Sequence, residues 1–90
     1  MKSFILSFSD DTSEQEVVNY LDRRREILNW LSVLPNSIFI VSNYNAEMLT
    51  DLLARAFPDM FFVISEYNTR RANGMLTDEA WEFLNNPKQA

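Results

Sequence analysis

The ninety-residue chain contains no cysteine and no histidine. The first absence excludes a disulfide framework and a thiolate nucleophile. The second removes the usual zinc ligand, the usual general base and every Ser-His-Asp arrangement. Gly74 is the only glycine, which excludes a Walker loop and a dinucleotide-binding fingerprint, since each needs at least two. Basic residues are also scarce: 8 Lys plus Arg stand against 13 Asp plus Glu, for a net charge of -5. That balance disfavours a dedicated nucleic-acid binder and a basic membrane-surface helix. No apolar run approaches bilayer length, and the opening MKSFILSFSDD is unlike a secretory signal, so a cytoplasmic protein with no membrane partner is expected.

What the chain does have is a globular composition, 47% hydrophobic and 23% charged, enough for one core. One domain is expected over residues 1–84. Residues 85–90, with Pro87 and no apolar periodicity, read as a fraying tail. Lys2–Phe8 alternates as a strand, with Phe4, Leu6 and Phe8 on one side. Ser13-Glu14-Gln15-Glu16 has capping-box form, and Val17, Tyr20, Leu21, Ile27 and Leu28 continue at helical spacing. Pro35-Asn36 has turn chemistry between Trp30–Leu34 and the strand Ser37–Ser42, which favours a hairpin or a long bent strand. Asn43 or Asn45 caps a helix with the stripe Met48, Leu49, Leu52, Leu53 and Ala56, which Pro58 ends. Met60–Glu66 reads as a strand, and Thr77 caps a last helix carrying Ala80, Trp81 and Leu84.

This order predicts an α+β protein: a ferredoxin-like βαββαβ sandwich with an additional C-terminal helix. Without the hairpin, the same elements make a three-stranded parallel α/β sheet. The strands are apolar on both faces, so the face away from the first two helices must be covered by a partner subunit or by the last helix.

Two segments carry a family resemblance: Trp30-Leu31-Ser32-Val33-Leu34-Pro35-Asn36-Ser37-Ile38-Phe39-Ile40-Val41, and Gly74-Met75-Leu76-Thr77-Asp78-Glu79-Ala80-Trp81-Glu82-Phe83-Leu84. Together they resemble the SinR-like family of small bacterial proteins, related in fold to the small dimeric subunit of the CRISPR spacer-integration complex. The resemblance implies a ferredoxin-like homodimer and no settled activity. Relatives with nuclease-like character place a metal-binding aspartate at the end of the first strand. Here Ser9 holds that position and Asp10 follows it, and a one-residue slip along a strand reverses the face.

The candidate hard-metal ligands are Asp10 and Asp11, with Asp59 or Glu66, which a phosphodiesterase would use to hold magnesium. The alternative reading of Asp10 and Asp11 is a solvated turn at a helix N-terminus. Arg23, Arg24 and Arg25 with Arg70 and Arg71 are the basic clusters that could grip phosphates, unless Asp22 and Glu26 neutralise the triplet. Trp30, Phe39 and Trp81 are candidate interface anchors, although core packing is the simpler account of Phe39 and of Phe62. No serine or threonine has an activating base, because Lys2 and Lys88 lie near the termini. The expected function is a small homodimeric interaction or regulatory module without catalytic activity or cofactor, open to a protein partner. The alternative is a magnesium-dependent nuclease or nucleic-acid-binding protein built on Asp10, Arg70 and Arg71. A third reading, an acidic inhibitor that imitates phosphates, needs clustered acids where the sequence scatters them.

Overall fold

A computed structural model describes the whole chain, Met1–Ala90. Its elements are β1 (Lys2–Phe8), α1 (Glu14–Arg23), β2 (Asn29–Leu34), β3 (Ser37–Ser42), α2 (Ala46–Ala56), β4 (Phe62–Glu66) and α3 (Asp78–Asn85). The four strands form one sheet in the order β2-β3-β1-β4, and every neighbouring pair is antiparallel. This is the ferredoxin-like sandwich with an added terminal helix. The parallel α/β alternative fails because Asn29–Leu34 is itself a strand, hydrogen-bonded to β3.

Alternation in β1 sends Phe4, Leu6 and Phe8 to one face, where they meet Val17, Val18 and Leu21 of α1 and Leu49 and Leu53 of α2. Ile38 and Ile40 of β3 join this core, and Phe39 points the other way. There Phe39, Ala80 and Leu84 form a second, smaller core with Ile5, Leu31 and Val33 against them. The chain's own α3 therefore covers the second face of the sheet over β1, β3 and β2. No helix is long and apolar enough to cross a membrane.

Local chemistry explains most element ends. The hairpin between β2 and β3 turns at Pro35-Asn36, where Asn36 takes a left-handed backbone with φ 54. Asparagine tolerates that region better than most residues, and the Asn36 carbonyl accepts from the Phe8 N–H at 3.1 Å. The Asn45 side chain accepts from the Met48 N–H at 2.8 Å, and the Thr77 hydroxyl accepts from the Ala80 N–H at 3.2 Å, so both caps form as expected.

Four expectations need correction. No capping box forms at Ser13, whose side chain makes no cap hydrogen bond. The neighbouring Glu14 carboxylate accepts from the Ser32 hydroxyl at 2.9 Å and the Asn36 N–H at 3.2 Å, tying α1 to the hairpin. Helix α1 also stops at Arg23, before Ile27 and Leu28. The chain turns extended at Arg24 so that the Leu28 N–H can reach the Val41 carbonyl at 2.8 Å and start β2. Met48, expected in the α2 stripe, is 52% exposed. Residues 85–90 are mostly exposed but do not fray, being tied down at two points: the Asn29 amide donates to the Lys88 carbonyl at 3.2 Å, and the Ala90 N–H to the Leu28 carbonyl at 2.9 Å.

Candidate functional site

The two edges of the sheet differ. At β2, register slips between Ser32 and Leu34, Glu14 occupies the hairpin, and the C-terminal segment meets Leu28. Bulges and covering segments are the usual devices that keep an edge strand from pairing with another chain. Strand β4 carries none of them: Phe62–Glu66 has no lysine, proline or register shift. Ser9 gives its N–H to the Phe61 carbonyl at 2.9 Å, and Tyr67 its N–H to the Ser3 carbonyl at 2.8 Å. The odd-numbered residues of β4 thus turn their backbone groups toward β1. By alternation, Phe62, Ile64 and Glu66 direct theirs to the open edge.

The side chains along this edge are apolar as well. Helix α3 packs over β1 and β2 and leaves β4 bare, so Val63 is 64% exposed and the preceding Phe61 81%. Beside them lies an apolar groove of about 270 Å³ between residues 72–76 and the sheet, lined by Ile5, Phe39, Tyr67, Met75 and Trp81. Ile5 pairs in register with Ser65, so the bare strip of β4 borders this groove.

Of the expected interface anchors, Phe39 and Trp81 line this groove and Trp30 lies on the other face of the sheet. Phe39 is 2% exposed beneath α3, and Trp81 packs half-buried against the same cluster. Trp30 sits opposite Ile40 on the α1 side, with its indole N–H donated to Asp22 at 3.2 Å. Phe39 is thus core, the simpler account of it, while Trp30 and Trp81 pack against the chain with part of their surface exposed. Sequence reasoning misses Phe61 and Val63 because Met60–Glu66 is apolar on both faces and the pattern does not show which face stays uncovered. The available signal was their place in the last strand, where a short terminal helix can shield only part of a four-stranded sheet.

The proposed acidic ligands are not assembled into one site. Asp10 accepts from the Asn36 side-chain amide at 2.7 Å, and Asp11 from the Ser9 hydroxyl at 2.6 Å. Asp59 precedes β4, whereas Glu66 ends it and pairs with Lys2 at 3.9 Å. No three His, Cys, Asp or Glu side chains come close enough to share a metal ion.

The basic clusters, in contrast, are gathered. The end of the sheet where β1 begins and β4 finishes holds Lys2, Arg23, Arg24, Arg25, Arg70, Arg71 and Lys88, every cation except Arg55, and with them Asp22, Glu26 and Glu66, which offset only part of that charge. The opposite end holds Asp10, Asp11, Glu14, Glu16 and Asp59, and Asp11, Glu16 and Asp59 line one shallow concavity there. The molecule is acidic in total but dipolar along its strands. Only Arg24 of the arginines has an acidic partner, a two-pronged bond to Glu26 at 3.1 and 2.8 Å, and its guanidinium lies 5.7 Å from the Tyr20 ring centre. The bond to Arg24, followed by a backbone hydrogen bond, holds the Glu26 carboxyl below its ordinary range. The same bond raises Arg24.

The chain matches no protein-family model, no curated protein and no solved structure. Its functional reading therefore rests on the sheet edge and the charge distribution just described.

Proposed function

We propose that this protein is a non-catalytic interaction module that works as a homodimer, joined edge to edge at β4. The carrying observation is the free β4 edge, with unpaired backbone groups on Phe62, Ile64 and Glu66 and exposed Phe61 and Val63 beside them. The occupant is a second copy because the strand is compatible with itself. Antiparallel pairing about Ile64 uses the full length of β4 and sets Phe62 across from Glu66, with no like charges opposed. It would extend the sheet to eight strands with the α1 and α2 helices of both copies on one side and the two α3 helices on the other. The SinR-like resemblance points toward the same dimeric state, and no catalytic constellation competes with it. The scattered hydroxyls have no base, and the carboxylates have separate partners.

The test is molar mass by light scattering across a dilution series, for the native chain and for Val63→Lys. The native protein is expected at twice 10.6 kDa. Val63→Lys, a charge on an already exposed position, is expected to stay folded and run as a monomer. A native protein that remains monomeric at about 100 μM, where even a micromolar dimer is largely formed, would refute the proposal.

A further inference from the structure

We infer that the dimer is an electrostatically latched one, in which Arg70 and Arg71 of each protomer face Asp59 of the partner, flanked by the partner's Asp11 and Glu16. This inference rests on the β4-edge reading and deepens it by specifying orientation and control. The two loops that flank β4 carry unbalanced charges of opposite sign. Arg70 and Arg71 are exposed in the turn that follows β4, closed by the Arg71 N–H on the Asn68 carbonyl at 3.0 Å, and neither has an acidic partner within its own chain. Asp59 lies in the turn that precedes β4 and has no basic partner either. Within one chain these turns stand at opposite ends of the same short strand, five residues of β4 apart.

Antiparallel pairing of β4 with its symmetry mate reverses that separation. The chain leaving Glu66 of one protomer runs alongside the chain entering Phe62 of the other. The positive turn of each copy is then brought to the negative turn of its partner, twice per dimer by symmetry. The larger charge split points the same way, because antiparallel packing sets the cationic end of each protomer beside the acidic end of its neighbour. A parallel side-by-side arrangement would set like ends together. Opposed charges across a rim contribute mainly to orientation, association rate and salt sensitivity, and screening at high ionic strength should remove that contribution.

The consequence is a dimer whose affinity falls with salt. Exposed charge pairs of this kind each change an equilibrium about two- to fivefold, so the paired sites together account for about a tenfold change. The experiment measures the dimer dissociation constant by sedimentation equilibrium at low and at high sodium chloride, for four proteins: native, Arg70→Glu/Arg71→Glu, Asp59→Arg, and all three substitutions combined. Every substituted position is exposed, so folding is expected to be unaffected, and circular dichroism checks it. Each reversal alone should weaken the dimer about tenfold at low salt and little at high salt, and the combined protein should recover most of the native affinity. A native dimer insensitive to salt, or a combined protein no better than its parents, would overturn the latch while leaving the edge pairing intact. Failure of the edge reading itself would show differently, as a native chain with no dimer at any salt. Binding of a labelled single-stranded oligonucleotide that the arginine variant loses, with dimer affinity unmoved, would also overturn the latch and assign Arg70 and Arg71 to phosphate recognition.

Discussion

Replacing Phe39 by alanine tests the claim that the chain shields its own second sheet face. Phe39 is 2% exposed and is the largest of the three buried residues that hold α3 down, with Ala80 and Leu84. A buried Phe→Ala change typically costs about 3–5 kcal/mol through lost transfer energy and the cavity left behind. At ordinary stability per residue, a chain this short has about 5–13 kcal/mol in all, so the loss is a large share. Helix α3 is eight residues long, too short to persist without its docking site. The change should therefore loosen α3 first and expose Trp81, while Trp30 on the opposite face keeps its environment. With Trp30→Phe as background, urea titration followed by Trp81 emission should show a red shift preceding the loss of helical circular dichroism. The melting temperature should fall by about 12 °C or more. Phe39→Leu, which keeps most of the volume, should cost less than about 1.5 kcal/mol and preserve the single transition. A Phe39→Ala protein with an unchanged urea midpoint and unshifted Trp81 emission would refute the assignment of α3 as the cover.

Two further predictions concern local chemistry. Asn45→Ala and Thr77→Ala should each lose about 1 kcal/mol in urea unfolding, because both side chains cap helices. Ser13→Ala should cost less than about 0.5 kcal/mol, since its hydroxyl makes no cap bond. The Arg24 bond lowers the Glu26 carboxyl in the folded state. Its contribution is therefore complete above the ordinary carboxylate range and is lost as pH falls through the lowered folded value. Glu26→Gln should flatten that acid limb in melts taken over a pH series, and an identical limb in both proteins would contradict the assignment.

Much of the fold was legible because local signals agreed with the global arrangement. The alternation of Phe4, Leu6 and Phe8, the turn at Pro35-Asn36 and the caps at Asn45 and Thr77 each report backbone geometry directly. At the end of α1 a long-range partner outweighs the local pattern. The Leu28 N–H pairs with the Val41 carbonyl, so α1 stops at Arg23 and yields Ile27 to the turn that feeds β2. The site was less legible for a related reason. Periodicity shows which residues share a face of a strand, but not which faces a short terminal helix leaves open. The pattern therefore does not single out Phe61 and Val63, which are exposed, and it offers Trp30 and Trp81 as anchors although both pack against the chain's own clusters; Phe39 is core, as its simpler account has it. The charge split was likewise invisible along the chain. Arg23 and Arg70 are far apart in sequence and share an end of the molecule only because β1 and β4 run antiparallel.

The most direct measurement is sedimentation velocity on the native chain and on Val63→Lys at matched concentrations from about 1 to 100 μM, a range that spans micromolar association. The account predicts a native species that gains mass with concentration up to two copies, and a substituted one that stays at a single copy throughout while melting at nearly the same temperature. Native and substituted chains that sediment identically would contradict it.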